Sequence, residues 1–402
     1  MLSLSNIDVA ATLEKFKERG VPVGFLVPTE TGLKKSIMDA HEGLRRFFLK
    51  QNLHDYDKQL KGTENKKEIR TLLIHQDKVL DTKTSLYRPN SKNGDPRVWV
   101  YNLKKFASSG DLIALCVFED SLIAINCTRT DLRTLFDESN RLFCQWFPIK
   151  SKDISEDARE LLEMLSDISA RQFIPTMRRG DTGVGFTLES LLGIEANSSK
   201  APDFRGIELK TSRARKQTNK QTTVFSQVPN WSMSNLKGSK DILDKHGRFN
   251  PQKERRQLFH EISCIKPNSY GLQLALQDNN DTLAQIYVPD PLNQNKKEKD
   301  VIWMMDKLVE RVEEKHKETM WIAAETKGKG ASEEFWYKSV THTTGTDSAV
   351  LPILLESGAM TVHYLIRETP TGGAKDQGYL FKLAAKHLPT LFANITHYDL
   401  YP

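Results

Sequence analysis

The sequence predicts two domains: a mainly β N-terminal domain over residues 1–150 with one or two helices, and an α/β C-terminal domain over 171–402 with a mixed central sheet, joined by a linking helix at 151–170. Three observations carry this reading. The chain has 402 residues, more than one hydrophobic core usually organises. Short extended runs dominate as far as residue 127, and an alternation of helices and strands replaces them after "WFPIKSKD". Charged residues make up 27% and hydrophobic ones 38%, the balance of a folded chain and not of a disordered one.

The extended runs are "VPVGFLVP", "EIRTLLIH", "RVWVYNL", "DLIALCVF" and "SLIAINCT", rich in Val, Ile, Leu and aromatics and separated by Gly, Pro, Asn and Asp. They predict a sheet or small barrel. One amphipathic stretch interrupts them, "GLKKSIMDAHEGLRRFFLK", where Leu33, Ile37, Leu44 and Phe48 fall at helical spacing. In "ISEDARELLEMLSDISA", Ser155 precedes acidic residues, and Ala158, Leu161, Leu162, Leu165 and Ile168 form one face, which predicts a capped helix. Further on, a helix is expected at "VIWMMDKLVERVEEKHKE", a short one at "AVLPILLESG" and a strand at "AMTVHYLIRE".

The net charge of +6 is compatible with a nucleic-acid partner and is shared by many proteins that have none. Four cysteines, Cys116, Cys127, Cys144 and Cys264, without CxxC spacing, argue against both a disulfide framework and zinc. No signal peptide and no run of about 18 apolar residues is present, so a cytoplasmic protein without membrane contact is expected.

The chemistry concentrates in "APDFRGIELKTSR". Strand side chains alternate between faces, so Glu208 and Lys210 share one side while Ile207 and Leu209 point to the core. Asp203 lies in a Pro-Asp turn that Gly206 allows to bend, so its carboxylate can reach the same spot. Two carboxylates and an ammonium together suit a Mg²⁺ ion, which prefers hard oxygen ligands and can bridge to a phosphate, with Lys210 orienting or polarising an attacking water. That is phosphodiester hydrolysis. The competing reading is a strand edge with ordinary surface ion pairs, and the context weighs against it. Upstream, "RRGDTGVGFTLESLLGI" sets Gly180, Gly183 and Gly185 before a helix with Glu189 beside its buried stripe; a loop of that kind can hold a phosphate on backbone N–H groups, although it lacks the GK[ST] of a Walker loop. Downstream, Lys210, Arg213, Arg215, Lys216 and Lys220 gather without one acid.

In spacing as well as in letters, "GDTGVGFTLESLLGIEANSSKAPDFRGIELKTSR" resembles the catalytic core of the MvaI/BcnI restriction endonucleases, a branch of the PD-(D/E)xK nucleases related to the mismatch-repair nicking enzyme MutH. The resemblance sets the family's glycine loop on Gly183, its helix-borne glutamate on Glu189, its metal-binding aspartate on Asp203 and its ExK strand on Glu208 and Lys210, and it continues more weakly over roughly 155–402. It implies a restriction-endonuclease-like C-terminal fold and a Mg²⁺-dependent, sequence-specific type II enzyme that cuts double-stranded DNA, able to act as a monomer and paired genetically with a methyltransferase. Asp203 and Glu208 would be the metal ligands, Lys210 would stand at the attacking water and Glu189 would be a supporting carboxylate. Some related enzymes add a B3-like barrel resembling the N-terminal part of EcoRII, and the strand count of residues 1–150 is compatible with one.

Two decoys are set aside: Pro289–Asp290, which no ExK strand follows, and Glu313–Lys315, an ExK in a helical window where residues two apart diverge. In "MTVHYLIR" one face is apolar, and His363 and Arg367 on the other are candidates for DNA contact beside ordinary exposure. In "SLYRPNSKNGDPRVWVYNLKKF", Arg88, Lys92 and Arg97 interleave with Trp99 and Tyr101, a pattern that can bind phosphate and stack on a base, or form a hairpin with Trp99 in its core. The N-terminal domain would then extend recognition, bind a second DNA copy or sense another ligand. The alternatives are an antiphage nuclease held under such a sensor, and a non-catalytic DNA-binding module, against which the intact Asp203, Glu208 and Lys210 speak.

Overall fold

Seven short strands between residues 24 and 126 share one sheet in this computed structural model, which describes residues 9–75, 78–137, 154–194, 202–214, 221–290 and 296–401. They are β1 (Gly24–Leu26), β2 (Met38–Asp39), β3 (Lys67–His75), β4 (Lys78–Tyr87), β5 (Arg97–Val100), β6 (Ile113–Phe118) and β7 (Ser121–Asn126), in the order β1-β6-β7-β3-β4-β5-β2. The expected extended runs all fall in this sheet, because Val, Ile and aromatic side chains pack well on a half-buried pleated surface.

Helix α1 (Val9–Glu18) precedes β1, and the amphipathic stretch expected as a single helix is two, α2 (Glu30–Lys35) and α3 (Glu42–Lys50). The break has local causes. Ser36 adopts the left-handed conformation at φ 57° and ends α2, while His41 starts α3 by accepting the Leu44 N–H on its Nδ1. Leu44 and Phe48 still fill the core, which they share with Val98, Val100, Ile113 and Leu115. Two one-turn helices, α4 (Leu103–Phe106) and α5 (Leu132–Leu135), complete this part.

The expected capped helix is α6 (Glu156–Ala170), with the Ser155 hydroxyl accepting the Ala158 N–H at 3.2 Å. After it come β8 (Ile174–Pro175), α7 (Gly183–Leu191), β9 (Glu208–Arg213), β10 (Gln221–Ser226), α8 (Ser239–His246), β11 (Arg248–Asn250), β12 (Arg255–Ile262), β13 (Leu272–Gln277), β14 (Thr282–Tyr287) and β15 (Glu298–Met304). Then follow α9 (Met305–Lys315), β16 (Glu318–Lys327), β17 (Glu334–Thr346), α10 (Leu351–Glu356), β18 (Met360–Glu368), β19 (Ala374–Ala384) and β20 (Phe392–Asp399). The expected helix over "VIWMMDKLVERVEEKHKE" thus begins only at Met305, its first residues being the apolar end of β15.

The chain divides into two compact units. One comprises residues 1–149, 221–311 and 347–391; the other comprises 150–220, 312–346 and 392–402. Residues 171–402 contribute to both units. The first unit holds the seven-stranded sheet, a five-stranded sheet β10-β19-β18-β12-β11 and the meander β13-β14-β15. The second holds the sheet β20-β17-β16-β9, in which β9 runs parallel to β16 and the remaining pairs are antiparallel, a mixed sheet as expected. Its core packs Leu161, Leu165 and Ile168 of α6 and Leu188 of α7 against Ile207, Leu209, Met320 and Ile322. Among the described residues no helix is long and apolar enough to cross a membrane.

Candidate active site

The stretch from Asp203 to Lys210 is a tight hairpin. Phe204 and Ile207 exchange both backbone hydrogen bonds, at 2.9 and 2.7 Å, and the two residues between them, Arg205 at φ 43° and Gly206 at φ 92°, both have positive φ. That is the geometry of a two-residue turn whose twist matches its flanking strands. The exposed guanidinium of Arg205 binds Glu160 of α6 at 2.6 and 3.1 Å and Asp157 at 3.1 Å. The turn folds Asp203 back along β9, where its Oδ2 accepts the Leu209 N–H at 2.9 Å.

Strand alternation does the rest. Ile207 and Leu209 enter the core, and Glu208 and Lys210 take the other face beside Thr319 and Trp321 of the parallel neighbour. Glu208 is only 1% exposed. Its Oε1 accepts from Lys210 Nζ at 2.5 Å and from Lys315 Nζ at 2.8 Å, while its buried Oε2 has no hydrogen-bond partner among the described residues. A buried carboxylate oxygen without a donor is costly unless something positive meets it.

The third carboxylate comes from α7. The buried Tyr337 donates its hydroxyl to the Val184 carbonyl at 2.9 Å, and Thr187 Oγ1 accepts the Met177 N–H at 3.0 Å, so the helix is pinned at two points. Half-buried Glu189 is thereby held near Asp203, whose charge, after burial, raises the Glu189 pKa above the ordinary value. Asp203 is raised as well, by burial first and by Glu208 second. Burial pushes Glu208 in the same direction, but Lys210 and Lys315 outweigh it and keep its carboxyl below the usual range. Three carboxylates that disfavour one another's ionisation sit beside two ammonium groups.

Lys315 is the residue that the sequence hid. Its ExK partner Glu313 is a decoy for the expected reason, since α9 turns the two in different directions, yet the last turn of that helix brings Lys315 to Glu208. No local pattern signals this, because the contact joins residues far apart in the chain.

Other expected residues lie differently. Gly183 donates its N–H to the Gly180 carbonyl at 3.0 Å instead of presenting it to a phosphate; a side chain there would meet the Arg178 carbonyl, its Cβ lying 2.3 Å from that oxygen. Arg213 binds both oxygens of Glu333 at 2.7 and 2.8 Å and the carbonyls of Gly180 and Asp181 at 2.9 and 3.0 Å, so its charge is matched within the protein. Arg215, Lys216 and Lys220 lie outside the described residues, as does the side chain of Lys92. His363 and Arg367 stand on β18 in the first unit, on the face opposite the buried Met360, Val362, Tyr364 and Ile366. His363 is pushed down to about 4, by burial and then by Lys382, and is neutral at physiological pH. Arg88 donates to the carbonyls of Gly94, Tyr56 and Gln59, and Arg97 pairs with Asp39.

With this geometry in place, the comparisons with known proteins become decisive. The model of the MvaI/BcnI restriction endonuclease family matches residues 162–392, more than half of the chain. The chain belongs to the MvaI/BcnI restriction endonuclease family. It is therefore a type II restriction-like nuclease. A solved structure of restriction endonuclease MvaI with its cognate DNA substrate matches at a TM-score of 0.52 and 23% identity, covering 62% of this chain and 100% of that one. MvaI in the absence of DNA matches at a TM-score of 0.38 and 23% identity, covering 61% and 99%. No curated protein sequence matches the chain. The first of these structures shares the restriction-endonuclease fold, and residues before 162 lie outside the family match.

Proposed function

We propose that the protein hydrolyses phosphodiester bonds of double-stranded DNA at a specific sequence, with a divalent cation, Mg²⁺, held by Asp203 and Glu208. The observation that carries this is the unpartnered, buried Glu208 Oε2 next to Asp203. The carboxylates of Asp203 and Glu208 are hard oxygen donors, which suit Mg²⁺, an ion usually bound through one or two carboxylates, waters and a substrate phosphate. Such a cation supplies charge against the phosphate oxygens and acidity to a nearby water.

The chain's own groups do the remaining work. Lys315 and Lys210 share Glu208 Oε1, which orients the carboxylate and leaves its Oε2 without a donor among the described residues. Lys210, half-buried on the open face of β9, orients the attacking water, and Glu189 supports the cluster from α7. Residues 1–150 serve as an accessory DNA-binding domain in this reading.

The test is digestion of unmethylated phage DNA by the purified protein with Mg²⁺, beside EDTA and Lys210→Ala controls, with fragment ends sequenced. Discrete ends sharing one short motif, absent from both controls, are expected. Cleavage that persists with Lys210→Ala would sink the assignment. Cleavage that is absent until a cell or phage extract is added would replace restriction with a sensor-controlled nuclease.

A further inference from the structure

The seven-stranded sheet carries a second concave feature, built wholly from residues 36–104. Strands β4 and β5 pair Ser85 with Trp99 and Tyr87 with Arg97, so these side chains start from one face, while Leu86, Val98 and Val100 start from the other; Trp99 belongs to the same hydrophobic core as those three, and Tyr101 packs against it. Tyr101 continues the line, its N–H donated to the Lys83 carbonyl at 2.9 Å. Between the rings lies a cavity of about 420 Å³ lined by Tyr87, Trp99, Tyr101, Lys66 and Lys104. Small-molecule sites span about 300–1,000 Å³.

Its lining is selective. Trp99, only 6% exposed and part of the core, contributes to the lining, and the half-buried Tyr87 and Tyr101 offer more of their rings. No carboxylate is among the lining side chains, although Glu68 accepts a hydrogen bond from the lining Tyr101. Glu68 on β3 is engaged by Lys83 at 2.7 Å and lies 3.8 Å from Lys66, while Lys104 is exposed and has no ion pair among the described residues. Thr63, Ser85 and Asn102 add hydroxyl and amide groups at the rim. A simple anion would use the lysines and ignore three rings. An apolar ligand would use the rings and desolvate the lysines without return. A flat aromatic group joined to an anion satisfies both, with the base stacked on a tyrosine and the phosphate beside an ammonium.

The geometry points to a nucleotide site in the N-terminal region, its ligand either a free nucleotide or one nucleotide unit of a nucleic-acid strand. The site shares no residue with the carboxylate cluster, and neither reading depends on the other.

The test uses the full-length protein in EDTA, so that binding is read without hydrolysis. A fluorescein-labelled single-stranded oligonucleotide is titrated by anisotropy, and dAMP and dTMP by calorimetry. Tyr101→Leu should weaken oligonucleotide binding about 5- to 150-fold, the usual worth of one base stacked on an aromatic ring. Lys66→Ala combined with Lys104→Ala should lower the salt dependence by a slope of about 0.7 for each phosphate that is no longer neutralised. Lys104→Ala alone, at an exposed position, guards against misfolding of the others and should show part of that change. Competition by dAMP or dTMP identifies a free nucleotide as the ligand; binding of the oligonucleotide alone identifies a strand. Variants that bind as the wild type does, or a wild type that binds neither probe, overturn the proposal. A chain that binds here but never cuts DNA would refute the nuclease reading and leave this one standing.

Discussion

Residues 203–210 and 85–104 both place cations on one face of a strand, but the structure treats them in opposite ways. Around β9 the charges stay together on one largely buried face: Lys210 meets Glu208, and Lys315 arrives from elsewhere to strengthen the cluster. Around β4 and β5 the arginines are engaged within the protein, Arg88 by three carbonyls and Arg97 by Asp39, its cross-strand neighbour on β2, and Lys66 and Lys104 are the cations left beside the cavity. Strand alternation fixes which side a residue starts on. It does not fix where a long guanidinium ends, because five donors in a rigid fork are recruited by any nearby cluster of carbonyls that would otherwise be unsatisfied.

The contrast can be broken in graded steps. The largest effect belongs to the proposed catalytic face: Lys210→Ala should lower DNA cleavage by about 10²- to 10⁴-fold, the usual worth of a group acting on the attacking water, with a much smaller loss of thermal stability because the buried Glu208 keeps Lys315. Near-normal rates in a single-turnover assay would remove Lys210 from the chemistry. Next comes the buried side of the same strand. Leu209→Ala should cost about 2–5 kcal/mol of stability, read from the urea midpoint, because it leaves a cavity against Met320 and Ile322.

Arg213→Ala tests whether a cation of the basic run serves the fold. It breaks charge-assisted hydrogen bonds to Glu333 and to the glycine-loop carbonyls, worth about 1.5–3 kcal/mol, and should slow cleavage while leaving the salt dependence of DNA binding unaltered. A flattened salt slope would return Arg213 to the DNA interface. The smallest effect is in the N-terminal region. His41, fully buried, is pushed down to about 4 chiefly by burial; its Nδ1 accepts the Leu44 N–H and its Nε2 faces the Phe25 carbonyl, so the neutral ring is favoured. A pKa depressed on folding gives stability that is complete above the unfolded value near 6.5 and is lost as pH falls through about 4. The unfolding midpoint should therefore drop over that window in the wild type and much less in His41→Asn, where the cap has no titratable ring.

These experiments bear on what the sequence could convey. The pairing of Glu208 with Lys210, the Ser155 cap and the apolar face of β18 depend on separations of two or three residues and are readable directly. The split between α2 and α3 was not, because it turns on Ser36 taking a left-handed conformation that serine adopts only under tertiary pressure. Lys315 and the fate of Arg88 were out of reach for a different reason. Each depends on a partner more than twenty residues away that no local pattern names.

The sheet that bears Lys210 also needs β20, residues 392–399, hydrogen-bonded along β17. A ribosome delivers residues 203–210 long before that last strand emerges. While the chain is still being made, β17 lacks a partner on one edge and the strands behind the carboxylates have no finished layer to rest on. The sheet that carries the proposed site is thus completed late in synthesis, and a chain truncated before residue 392 should cleave DNA poorly even though Asp203, Glu208 and Lys210 are all present.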